Sequence, residues 1–110
     1  MTERDLQTVA REWWGSDGTS RAFDEVWQIQ EYDHGRLPAL FRALADTVPA
    51  GESLAYVGIA IVESLLSEPD PVPSGDILGW LRSAGLAADE IGVLLGGMYP
   101  HFRSQFPDAL

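Results

Sequence analysis

A chain of 110 residues, 45% hydrophobic and 22% charged, has the make-up of one folded domain and not of a disordered segment. Seventeen acidic residues against seven arginines and no lysine give a formal net charge of −10, a field that repels nucleic-acid phosphates and anionic membranes and attracts basic partners. Without cysteine, disulfides and thiol chemistry are excluded.

The opening MTERDLQTVAREWW is charged and has no apolar h-region, so no secretory signal is expected and a soluble cytoplasmic protein is the default. Thr2 suits the N-cap of a helix over residues 2–14, with Glu3 and Asp5 where the dipole favours anions. Leu6, Val9, Ala10 and Trp13 form its apolar face, and Trp14 falls at the edge. Gly15, Ser16, Asp17 and Gly18 break it. Thr19 or Ser20 can cap a second helix that ends near His34 and Gly35, with Gly35 as the C′ residue. Its predicted stripe is Ala22, Phe23, Val26, Trp27 and Ile29, and its other faces carry Asp24, Glu25, Glu31 and Asp33. Pro38 fits the first turn of a third helix, whose core face is Leu37, Leu40, Phe41, Leu44, Ala45 and Val48.

Pro49, Ala50 and Gly51 turn the chain into the stretch LAYVGIAIVESLL, the heart of a central helix over about residues 52–67. Its apolar residues cover nearly the whole wheel, the pattern of a helix jacketed by others. Glu63, Ser64 and Ser67, with Ala60 one turn earlier, leave one narrow seam that reaches water or a partner. Pro69, Pro71 and Pro73 disfavour helix and predict an extended connector at 68–75, crossing the surface as a spacer. Ser74 or Asp76 caps a fifth helix using Ile77, Leu78, Trp80, Leu81 and Ala84 and ended by Gly85. A sixth over residues 88–96 presents Ile91, Leu94 and Leu95, and a last turn from Pro100 carries Phe102 and Phe106 inward. No stretch alternates with period two. The expectation is all-α, a single domain over 1–110, with six or seven helices around the central one.

Few residues suggest chemistry. Trp80 to Leu95 has the spacing of a helix-turn-helix unit, which makes a DNA-binding or regulatory protein one alternative. Its second helix, however, offers Asp89, Glu90 and Gly92 and no arginine, so phosphates would be repelled. His34 and His101 are the only histidines and lack the clustering that metal ligation needs, so no metal or cofactor is expected. Glu63 in an apolar helix must pair with an arginine such as Arg42, Arg82 or Arg103, lie along the seam, or be a functional acid. One carboxylate without a base, a second acid or a nucleophile motif is a poor basis for an enzyme, and none is expected. What remains is aromatics among acids: Trp14, Asp24, Glu25, Trp27, Glu31, Tyr32 and Asp33 are the candidate partner-binding residues. Trp and Tyr anchor interfaces, and carboxylates around them select a basic protein.

The run Val57-Gly58-Ile59-Ala60-Ile61-Val62-Glu63-Ser64-Leu65-Leu66 is a Gly-then-Glu pattern closed by a Leu pair. On it the chain resembles a group of small all-helical bacterial proteins, over about Trp13 to Phe106. Such proteins are similar to immunity proteins of bacterial toxin systems, which bind a toxin and cover its active site, often setting carboxylates against a basic surface. The resemblance implies a non-catalytic immunity or antitoxin-like inhibitor of a basic toxin, with neither nucleic acid nor membrane as partner. The competing expectations are a self-associating structural or adaptor module, forming a homodimer along the Ala60/Ser64 seam, and a ligand-binding or catalytic domain centred on Glu63.

Overall fold

The computed structural model describes residues 4–15 and 21–108, and among these it contains seven helices and no strand. Helix α1 (Leu6–Trp14) is capped by Asp5, whose carboxylate accepts the Gln7 N–H at 3.3 Å. It therefore starts later than predicted; Thr2 and Glu3 lie outside the described residues, as do the expected caps Thr19 and Ser20. Helix α2 (Arg21–Tyr32) stops short of the predicted end. Asp33 leaves helical geometry, and His34–Arg36 makes a single 3-10 turn that runs straight into α3 (Leu37–Asp46), with Pro38 in its first turn. Gly35 sits inside that turn, not in a left-handed cap.

The central helix α4 spans 55–67 and is not uniform. Regular turns at Ala55–Val57 and Glu63–Ser67 flank a stretch of wide π turns at Gly58–Val62. The cause is visible in the burial pattern. Val57 and Gly58, Ile61 and Val62, and Leu65 and Leu66 are buried, so buried pairs recur every fourth residue. In an α-helix four residues overshoot a full turn by about 40°. Such a stripe would drift around the helix, and the wider π turns hold it straight.

Helices α5 (Ser74–Ser83), α6 (Ala88–Gly96) and α7 (Pro100–Arg103) complete the chain. Ser74 opens α5 and does not cap it; Pro73 holds the N-cap position and no side chain bonds there. Gly85 takes φ +78°, the left-handed conformation that a non-glycine residue resists, and its carbonyl accepts from Arg42 at 3.3 Å. Arg42 also donates to Asp46 at 2.7 and 3.0 Å, so one side chain ties α3 to the α5–α6 turn. Glu90 in turn accepts the Ala87 N–H at 2.9 Å and closes the start of α6.

Helix α1 lies against α2 and α3, α3 against α5, and α4 against α6. The fully buried centre is built from Leu37, Leu40, Phe41 and Leu44 of α3, with Ile61 and Leu65 of α4 and Ile77 and Leu94 beyond them. The connector is more than a spacer: Val72 is buried, and its N–H donates to the Leu65 carbonyl at 3.1 Å. The radius of gyration is 13.1 Å, against about 13 Å for a compact chain of this length. No helix among the described residues is long and apolar enough to cross a membrane.

Candidate functional site

The buried stripe of α2 is narrower than its sequence suggests. Ala22, Val26, Ile29 and Gln30 face the core, spaced i, i+4, i+7 and i+8. Phe23 and Trp27, expected in that stripe, turn outward and are 40% and 48% exposed. Trp27 meets Tyr32 edge to face with centroids 6.0 Å apart, and Tyr32 stands 79% in solvent. Asp24 and Asp33 are exposed beside them. Four of the seven candidates thus share one outward surface.

The other three are placed differently. Trp14 is half-buried, stacks edge to face on Trp13 at 5.1 Å, and donates its indole N–H to the Leu44 carbonyl at 3.1 Å. That bond staples α1 to α3. Glu25 accepts from Arg4 Nε at 2.9 Å and faces Arg21 at 3.4 Å, while Arg4 also pairs with Glu12. These hydrogen bonds raise the Arg4 guanidinium further above its ordinary range and hold the Glu12 carboxyl below the usual carboxylate value. Glu25 is part of an ion-pair network between α1 and α2.

Glu31 points to the connector, where Glu68 lies half-buried with its Oε1 shielded from water and lacking a hydrogen-bond donor. A hydrogen bond with the Glu31 carboxyl raises Glu68 above the usual carboxylate range, burial and the charges of Glu31 and Asp70 add to the rise, and His34 opposes it. His34 donates from Nε2 to the Gln30 carbonyl at 2.6 Å and leans on Trp80 at 5.2 Å; it is a helix-end residue. His101 is exposed against Phe102. Among the described residues no three His, Cys, Asp or Glu side chains are arranged to hold a metal ion.

Glu63 finds neither an arginine nor bare solvent. Its Oε2 accepts the Tyr99 N–H at 3.0 Å, just ahead of α7, so its carboxylate pins the last helix to the middle of the fold. The seam beside it is open: Ser64 and Ser67 are exposed, and so are Tyr56 and Ile59 at 50% and 44%. One face of α4 is therefore bare, and the expected all-round jacket is incomplete.

Two cavities border α2. The larger, about 540 Å³, lies on its α1 side and includes Arg4, Arg21, Glu25, Asp33 and Arg36. Its charges compensate one another across the Arg4–Glu25–Arg21 network. The smaller, about 210 Å³, is a groove between α2 and α4. Phe23 and Trp27 form one wall and Tyr56, Ala60 and Ser64 the other, with buried Trp13, Val26 and Ile61 below. Tyr56 closes one end against Trp13, with ring centroids 5.4 Å apart. The π turns contribute to this wall, since Ala60 and Ile61 lie within them. Among the described residues no charged side chain lines it.

The sequence reading missed Tyr56, Phe23 and Gln30 as groove residues. Gln30 carried a signal: it lies four residues after Val26 on the buried face, and it is the only polar residue in the core among those described. Comparison of the chain with protein-family models, curated proteins and solved structures yields no match.

Proposed function

We propose that this chain is a non-catalytic, acidic protein-binding domain whose α2 face recognises a basic protein. Within that class, an immunity or antitoxin-like inhibitor that occludes a basic bacterial toxin is the reading that charge, exposed aromatics and the Val57–Leu66 resemblance together favour. One observation carries it: Trp27 and Tyr32 stand paired and exposed on a helix whose Asp24, with Asp33 just beyond its end, is exposed as well. Large exposed aromatics supply contact area at low entropy cost, and the carboxylates around them supply steering.

Mechanistically, the field of a −10 protein accelerates encounter with a basic surface, and the aromatic pair then limits dissociation. Asp24 and Asp33 are the residues to reverse. Glu25 is committed to Arg4 and Arg21, and a change at Glu31 would disturb Glu68. Asp24→Lys with Asp33→Lys should slow association with the basic product of an adjacent reading frame by about tenfold at low salt and leave dissociation nearly unchanged. Equal association rates for the parent and the double variant at low salt would remove electrostatic recognition by this face.

A further inference from the structure

The α2–α4 groove contains a group that the fold leaves unused. Gln30 is 6% exposed and lines the groove, yet its side-chain amide makes no hydrogen bond with any described residue. Its one bond near here is made by its backbone carbonyl, to His34. The amide is not sealed from solvent: among the described residues Glu68 Oε1 is the one buried side-chain polar atom that lacks a partner, so the Gln30 amide reaches water through the groove. Here the amide borders an open space, where an incoming group can complete it.

Three properties of the groove specify what that group belongs to. The volume, about 210 Å³, is below the roughly 300–1,000 Å³ of ordinary small-molecule sites, and suits a single inserted side chain. The walls are aromatic and aliphatic, with Trp27 and Tyr56 each about half exposed at the lip. Asp24 is exposed one turn before Trp27, and among the described residues no arginine lines the groove. An apolar anchor, a hydrogen-bonding backbone and flanking positive charge are three demands that a basic polypeptide segment meets at once. A second copy of this chain brings another −10 to the contact and is opposed by repulsion.

We infer that the α2–α4 groove is the anchor pocket for a basic polypeptide, taking one apolar side chain between Trp27 and Tyr56 while Gln30 bonds the segment's backbone. This rests on the protein-binding role proposed above and adds to it the place and chemistry of the contact. A Lys or Arg beside the anchor would face Asp24, and a cation above the Trp27 or Tyr56 ring gains from the π face as well. The pocket is the well-packed centre expected of an interface hot spot, and the carboxylates are its rim.

The test is an amide-shift titration of the full chain with three synthetic twelve-residue peptides. One has a central Leu flanked by Lys and Arg, one has Ser at the centre, and one has Glu in place of every Lys and Arg. The Leu peptide should bind saturably, moving the Gln30 side-chain NH₂ and the Ala60 and Ser64 amides. The Ser peptide should bind at least tenfold more weakly, and the Glu peptide should not bind. Ala60→Trp, which fills the groove, should abolish the Leu-peptide shifts. Ser64→Trp, at an exposed position, does the same job if Ala60→Trp fails to fold. Gln30→Leu should weaken binding several-fold while the melting temperature holds, because the amide it removes bonds no described residue and meets water in the groove. A fall in melting temperature with unchanged binding would instead make Gln30 structural and overturn its assignment.

The two proposals fail separately. Equal binding of Leu and Ser peptides, or binding that survives both groove-filling variants, discards the anchor pocket and leaves the acidic protein-binding reading standing. No binding by either basic peptide at millimolar concentration discards both. Concentration-dependent shifts of the groove residues without peptide would give the pocket to a second copy and overturn the basic-segment assignment.

Discussion

The central helix has two unlike sides. Toward α6 it is closed as tightly as two backbones allow. A Cβ on Gly58 would stand 1.9 Å from the Leu94 carbonyl oxygen, and one on Gly97 would stand 2.8 Å from the Ala55 Cβ. Glycine lets backbone meet backbone at Gly58 and lets the Ala55 methyl seat directly on Gly97. Toward α2 the same helix presents Tyr56, Ala60 and Ser64 across a groove, with the bulk of Trp13, Phe23 and Trp27 opposite. Where residues are smallest the fold is sealed, and where they are largest it gapes. Stability is concentrated on the α6 side, and the binding surface is left on the α2 side.

The largest effect should come from breaking the closed side. Gly58→Ala places its methyl group against backbone, which no rotamer change relieves, and should cost about 3 kcal/mol in urea unfolding. A cost below about 1 kcal/mol would mean that the α4–α6 contact is looser than described. Glu63→Ala comes next. It removes the acceptor of the Tyr99 N–H on a half-buried carboxylate and should cost about 1 kcal/mol, with hydrogen exchange fastest at the start of α7.

On the groove side the expected changes are smaller, and one depends on pH. Glu68 is held above the usual carboxylate range in the folded chain, so the folded state binds that proton more tightly than the unfolded state does. Its stabilising contribution is present in full below the ordinary Glu value of about 4.3 and is lost as pH rises through the raised value. Glu68→Gln should therefore be more stable than the parent at pH 7, with the gap closing in acid; paired urea midpoints at pH 7 and about pH 4.3 read this directly. A gap that widens in acid would show that the folded chain does not favour the protonated Glu68 carboxyl. The smallest stability effect belongs to Trp27→Ala, within about 0.5 kcal/mol, because half of the ring is already in water. Loss of partner binding in that variant without loss of stability would sharpen the division between the two sides.

Much of the architecture was legible locally. Helices α3, α5 and α6 and the final turn followed from apolar periodicity, Pro38 and the Gly85 turn, because these signals act within a few residues. The candidate surface was legible in part. Aromatics set among carboxylates singled out Trp27 and Tyr32, and both are exposed. Which ring would be exposed was not decided there. Trp14 reads like Trp27 in sequence, yet the Leu44 carbonyl lies within reach of its indole, and no local pattern states that.

Helical content, net negative charge and the absence of thiol chemistry were set by composition and short-range pattern, because each depends only on residue types and their near neighbours. The width of the α2 stripe, the π turns of α4, the pairing of Glu63 with the Tyr99 N–H and the place of Gln30 in the groove were decided by tertiary structure. Each depends on which element lies across the gap and how closely it approaches. A helix determines by itself which residues share a face, but its neighbours determine how much of that face is covered.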